Sequence, residues 1–226
     1  MTKPIAKVES LLGDAGEPVP GDGDAQFLAQ YFERYRRALF GADVTAQLIE
    51  LKERIRTASQ AGNKIIIAGN GGSAAIAAHG ATDLSKNAKV RSVSFNEASL
   101  ITCLANDFGY DRWLEAALEM YADAGDLVIL ISSSGKSPNM VRAADCAKRK
   151  GLSLVTFTGF DSGNPLKSRG ELNFWVDSRA YNIVENTHQI WLLAVCDLLI
   201  GAAEYPAAPR TDTALAPPTP GALPTV

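Results

Sequence analysis

Two short stretches of this sequence carry residue types that can hold an oxyanion. Gly69-Asn70-Gly71-Gly72-Ser73 follows the run KIIIA, and Ser132-Ser133-Ser134-Gly135-Lys136-Ser137 follows DLVILI. In the first, the glycines let a ligand approach the backbone, and the helix that follows offers unpaired N–H groups to an anion. In the second, four hydroxyls and a glycine stand ahead of a helix, a set that suits three phosphate oxygens. A polar turn with capping serines is the alternative reading of either loop alone. Both loops ending adjacent strands of one sheet favour a phosphate cradle. Neither loop is a nucleotide motif. Gly-x-Gly-x-x-Gly fails because Ala74 holds its third glycine position, and the glycine that a P-loop requires five residues before Gly135 is Leu130.

Proton-transfer chemistry needs a positioned base and a group that polarises a carbonyl. His79 and Asp83 stand four apart in an Ala-rich helical segment, so both project from one face. Taken singly, His79 reads as a structural histidine and Asp83 as a solvated helix residue; the spacing joins them. The chain has only 2 histidines. The other, His188, lies three residues after Glu185 on an otherwise apolar helix. The two are expected to face different parts of a subunit interface, with His188 in a structural hydrogen-bonding role.

The elements that must carry these residues alternate. Phe27 to Leu39 and Val44 to Gln60 read as amphipathic helices, with Leu48, Leu51 and Ile55 recurring at helical spacing. Lys64–Ala68, Val90–Phe95, Asp126–Ile131, Leu152–Thr158 and Leu172–Val176 read as strands. DLVILI shows no alternation, as expected of a strand covered on both faces. Helices are expected over Ser73–Leu84, Glu97–Ala105, Trp113–Tyr121, Ser137–Lys150 and Asn182–Ile200, with Pro138 in a first turn where its missing N–H costs nothing. Strands separated by helices imply a parallel three-layer α/β/α sandwich with right-handed crossovers. In such a sheet, ligands bind where strand C-termini meet helix N-termini.

Composition sets the bounds. The 226 residues suffice for one α/β domain and not for two. A net charge of -3 argues against a nucleic-acid platform built on a basic field. Of the 11 prolines, only Pro138 and Pro165 lie between residues 21 and 205. We therefore expect a flexible segment over 1–24, one folded domain over 25–204 and a disordered Pro/Ala-rich tail over 205–226. Cys103, Cys146 and Cys196 allow no CxxC metal pair or disulfide framework and are expected to be buried thiols in a reducing compartment. The N-terminus has no apolar core of signal-peptide length, and the greasy run Ile190–Ile200 falls short of a membrane span. A cytoplasmic protein is expected.

Taken together, GNGGSAAIAAHGATDL, LANDFGYD, ISSSGKSPN and VENTHQIW resemble the sugar isomerase (SIS) domain, and within it the phosphoheptose, or sedoheptulose 7-phosphate, isomerases. The resemblance runs without obvious gaps from the first helices to about residue 200. It implies a flavodoxin-like parallel five-stranded sheet, a homotetramer, and active sites built between subunits. It implies that Ser132, Ser133, Ser134 and Ser137 hold the substrate phosphate, while Asn70, Gly71, Gly72, Ser73, Asn106 and Asp107 line the sugar. In the family a glutamate one turn after a histidine abstracts the proton, a histidine on the last helix partners it, and a glutamine completes the site. Here the first histidine matches His79, the glutamate position falls at Asp83, the glutamine position at Glu185 and the partner histidine at Leu193. Leu193 can neither transfer a proton nor bind metal. His188 lies about 80–100° around the helix from the face shared by Glu185 and Leu193. These four positions hold zinc in many family members, and three ligands drawn from His79, Asp83 and Glu185 plus a water would be an allowable zinc site. Two functions remain open. One is an aldose–ketose isomerase with Asp83 or Glu185 as base. The other is a non-catalytic sugar-phosphate-binding protein serving as a regulator or scaffold, of the type that associates with a replication initiator.

Overall fold

The computed structural model describes residues 23–205. Residues 1–22 and 206–226, which hold nearly all of the expected flexible segment and Pro/Ala-rich tail, lie outside the described residues. Two helices open the chain, α1 (Gly23–Phe40) and α2 (Thr45–Gln60). Then follow β1 (Ile65–Gly69), α3 (Gly72–Lys86), β2 (Ser92–Ser94), α4 (Ala98–Phe108) and α5 (Trp113–Tyr121). The second half runs β3 (Leu127–Ser132), α6 (Pro138–Arg149), β4 (Ser153–Thr158), β5 (Leu172–Trp175) and α7 (Tyr181–Ile200).

The strands form one parallel sheet in the order β2-β1-β3-β4-β5. Every residue of β1 and β3 is buried, which is why these runs show no alternation. The pleat divides them between two cores. Ile65 and Ile67 join Ile129 and Ile131 against Leu51, Ile55, Leu84 and Leu192. Ile66, Ala68, Val128 and Leu130 face the other way, onto Trp113, Leu114, Leu118, Met140 and Ala143. Each fully buried aliphatic side chain contributes about 1.5–3 kcal/mol, as an upper estimate. On the first face α3 and α7 pack closely, because a Cβ on Gly80 would stand 2.5 Å from Leu192 Cδ2.

Several boundaries differ from the sequence expectation for local reasons. The second strand shortens from Val90–Phe95 to Ser92–Ser94 because Val90 N–H donates to Leu84 O, closing the end of α3 instead of joining the sheet. Glu97 caps α4 from outside it, its carboxylate accepting from the N–H groups of Ser99 and Leu100. A 3-10 turn at Lys167–Arg169 was not anticipated. Cys146 and Cys196 are buried as expected, and burial pushes both thiols up to about 12. Cys103 corrects the expectation: it is exposed, since α4 buries only Leu104 and the neighbouring position turns outward. Counted from Tyr181, α7 is 20 residues long and holds an 18-residue window of mean hydropathy 1.3, which makes it long and apolar enough, by length and composition alone, to cross a membrane, unlike the shorter run read from sequence. Here its stripe from Ile183 to Cys196 packs into the protein core.

Two features of the sheet position the site. Gly69 is in register with Ile131, so β1 and β3 end level and release their loops side by side. β1 also lies between β2 and β3, where the strand order reverses and opens a crevice at the C-terminal edge.

Candidate active site

The two loops line one open cavity of about 280 Å³, together with Tyr181 and Glu185 from the start of α7. Of the expected ligand residues it gathers Asn70, Gly71, Gly72, Ser73, Ser132, Ser133, Ser134 and Ser137. Gly71 has φ 56, a conformation that side chains rarely adopt, and it turns the chain so that the N-terminus of α3 opens into the cavity. Gly72 is required by space: a Cβ there would meet the Glu185 carboxylate, with Oε1 at 3.0 Å and the carboxyl carbon at 2.6 Å.

The serine hydroxyls are arranged to donate. Ser132 Oγ accepts from Gly135 N–H and Ser134 Oγ from Lys136 N–H, each at 3.2 Å. Both oxygens are thereby fixed while their protons stay available to an anion. Ser137 precedes α6 but makes no side-chain capping bond, so its hydroxyl also remains available. Ser133 donates to Glu185 Oε1 at 3.3 Å. Gly135, at φ 62, packs against Asn164, whose side-chain oxygen would collide with any Cβ. Among the described residues, no Lys or Arg lines this cavity; the nearest in sequence, Lys136, pairs outward with Asp161 at 3.2 Å.

A latch joins the two loops. Asn70 Nδ2 donates to Asn139 Oδ1 at 3.0 Å and Asn139 Nδ2 donates back to Asn70 Oδ1 at 2.9 Å. Asn139 is almost wholly buried in the first turn of α6, and Tyr110 OH adds a third bond to Asn70 Oδ1 at 3.3 Å. Asn106 and Asp107 lie outside this cavity. They are exposed on the last turn of α4 and bonded to each other at 2.9 Å. Tyr110, one turn beyond them, is the contact from this segment to the cradle.

Further along α3, His79 and Asp83 share a face as their spacing required. His79 Nε2 stands 3.5 Å from Asp83 Oδ2, and Asn87 Nδ2 donates to Asp83 Oδ1 at 3.1 Å. His79 is half exposed and Asp83 mostly covered. A rise of 1.5 Å per residue puts these Cα atoms about 10 and 16 Å along α3 from Gly72. They lie beyond the cradle, whereas Glu185 lies within it. Among the described residues, no three His, Cys, Asp or Glu side chains come together as metal ligands. The three expected to hold zinc are thus not assembled by one chain, and no chemical step is derived through a metal.

His188 is fully buried inside its own subunit rather than at a subunit interface. Its Nε2–H donates to Thr158 O at 3.0 Å and its ring stands edge-on to Phe157. Burial holds its pKa down to about 4, so the ring is neutral and structural. Leu193 packs against the apolar cluster. Sequence reasoning missed Gln189, whose Nε2 lies 3.1 Å from His79 Nδ1. The signal was available, since Gln189 stands four residues from both Glu185 and Leu193 and centres their shared face.

Known proteins share this sequence pattern and fold. The chain matches the SIS domain over residues 30–159. A phosphoheptose isomerase of Geobacter sp. strain M21 is 37% identical over 148 residues, which are 63% of this chain and 77% of that protein. A probable phosphoheptose isomerase of Thermoplasma acidophilum is 33% identical over 177 residues, 75% of this chain and 96% of that one. The structure of phosphoheptose isomerase GmhA from Neisseria gonorrhoeae superposes with a TM-score of 0.71 at 26% identity, covering 78% of this chain and 98% of its own. The phosphoheptose isomerase of Francisella tularensis, at 19% identity and a TM-score of 0.73, shares the fold. With the two loops, the parallel sheet and these relatives in agreement, the chain belongs to the SIS domain family, alongside the phosphoheptose isomerases.

Proposed function

We propose that the protein is a sugar-phosphate isomerase that interconverts a ketose and an aldose 7-phosphate of the sedoheptulose type. The observation that carries this reading is the separation between two built features, a hydroxyl-rich cradle and a carboxylate–imidazole pair on the same helix. An extended seven-carbon chain spans roughly 8 Å of projected C–C bonds, and its phosphate ester brings the total to about 10 Å. That matches the rise from Gly72 to His79, so a phosphate in the cradle brings C1 and C2 toward His79, whose Nε2 stands 3.5 Å from the Asp83 carboxylate.

The chemistry needs no net oxidant. Asp83 takes the proton from C1, the electrons form an enediol with C2, and the proton returns to C2 while a hydroxyl proton passes between the two oxygens. Glu185 is the alternative base, and its place in the cradle puts it nearer the phosphate than the reacting carbons. Zinc held by His79, Asp83 and Glu185 would supply Lewis-acid chemistry, but among the described residues one chain does not bring these donors together.

Assembly with further copies is part of this reading. α1 buries none of its own residues, and Phe27, Phe32 and Phe40 on it are 62%, 63% and 75% exposed. Exposed aromatic rings on a helix that meets the rest of its own subunit along α7 support the homotetramer that the family resemblance implies. We place the protein in the cytoplasm on its thiol usage, with residues 25–204 as the single working domain. The test is incubation of the purified protein with sedoheptulose 7-phosphate in deuterated water. Exchange at C1 or C2 with formation of an aldose is expected. Tight sugar-phosphate binding without exchange would instead establish a regulator or scaffold.

A further inference from the structure

The family pattern leaves this chain without a partner for its base, because Leu193 occupies that place. The structure shows what stands on the same helix face. On α7, Glu185, Gln189 and Leu193 recur every fourth residue, and Gln189 reaches across the α3–α7 seam to His79. Its Nε2 is the near atom, 3.1 Å from His79 Nδ1.

An amide nitrogen can only donate, so Nδ1 must be the bare, accepting nitrogen of the ring. The proton of the neutral imidazole then sits on Nε2. That nitrogen points toward Asp83, yet 3.5 Å separates it from Oδ2, longer than a good hydrogen bond. Nε2–H is therefore held in a fixed direction and not consumed. Asp83 is in turn steadied through its other oxygen by Asn87.

We infer that Gln189 is a positioning residue that locks His79 as a neutral Nε2–H donor, and that His79 thereby polarises the carbonyl oxygen in place of the partner that Leu193 cannot supply. The assignment rests on the isomerase reading above. Asp83 moves the carbon-bound proton from C1 to C2. Nε2–H bonds to the oxygen whose negative charge grows and keeps its own proton at the end, while the O1 proton passes to O2. Neutral imidazole is well suited to this, since it donates without fixing a full positive charge beside the carboxylate.

The chain's 2 histidines make the test direct. Nitrogen-15 histidine spectra of the whole protein contain two ring systems, and His79→Gln assigns them. Wild-type His79 is expected to show a protonated Nε2 and a bare Nδ1. Gln189→Glu has the same shape but can only accept, so it should move the proton onto Nδ1. Its kcat for sedoheptulose 7-phosphate should fall about tenfold or more with KM nearly unchanged. Gln189→Met, which cannot donate, should give a mixture of tautomers and a similar loss. A protonated Nδ1 in the wild type overturns the inference. So does a Gln189→Glu protein with wild-type kcat, because a merely structural glutamine tolerates its isostere. A wild type with the expected tautomer and no turnover overturns the isomerase reading and the polarising role, and leaves only the Gln189 contact.

Discussion

Replacing Glu185 by glutamine should tighten sugar-phosphate binding. The family resemblance implies a neutral amide there, whereas this chain puts a carboxylate in the cradle, 3.3 Å from Ser133 Oγ. A phosphate seated on Ser133 brings its phosphorus to about 5 Å from that carboxylate, given ordinary hydrogen-bond lengths. For charges of minus two and minus one, the repulsion at that distance is about 1.7 kcal/mol in bulk-water dielectric and about 6.6 kcal/mol at an effective dielectric of 20. Among the described residues of one chain, no lysine or arginine lines the cavity to offset it. The lower figure already corresponds to more than a tenfold change in Kd. Calorimetric titration of wild type and Glu185→Gln with sedoheptulose 7-phosphate at low salt checks this. The advantage of the variant should shrink as salt is raised, since the screening length falls from about 30 Å at 0.01 M to about 3 Å at 1 M. Equal or weaker binding by Glu185→Gln at low salt would refute the reasoning and show that the carboxylate does not face the phosphate.

Four further outcomes are expected. Ser134→Ala removes one charge-assisted hydrogen bond of about 1.5–3 kcal/mol and should weaken sugar-phosphate binding about tenfold or more, with the melting temperature little changed. Asp83→Asn keeps the shape and removes the base, so exchange of the C1 and C2 hydrogens in deuterated water should slow by about 10²–10⁴-fold, as followed by NMR. A thiol reagent should titrate Cys103 alone in the native protein, with Cys146 and Cys196 reacting only after denaturant, because burial keeps both as thiols up to about 12. The depressed His188 pKa makes stability fall with acid: its unfolded form takes a proton below about 6.5, while the folded ring stays neutral down to about 4. Chemical denaturation should therefore show a loss of about 2 kcal/mol between pH 7.5 and 5 that His188→Gln lacks.

The parts of the fold that sequence revealed are those whose cause is local. KIIIA and DLVILI could be read as buried strands because a strand covered on both faces needs an unbroken apolar run. The two loops announced themselves by composition, and the structure places eight of their residues on one cavity. Long-range pairings stayed hidden. Asn70 and Asn139 are 69 residues apart and Gln189 and His79 are 110 apart, so no spacing rule links them. The resemblance puts Asn106 and Asp107 on the sugar, and within one chain they stand outside the cavity, while Tyr110, beyond the Gly109 that ends α4, makes the contact to Asn70. Cys103 misled for a simpler reason. Apolar sequence neighbours say little about a helix that buries only one residue.

The reciprocal bonds between Asn70 and Asn139 have a consequence for time rather than affinity. The glycine loop and the serine loop are tied together before any ligand arrives, one of them through a side chain with almost no solvent contact. Neither loop has to wait to be ordered. Encounter and capture then collapse into one step, with an observed rate that climbs in proportion to ligand concentration and shows no plateau. Whatever slow event limits a catalytic cycle on this scaffold lies after the phosphate has landed.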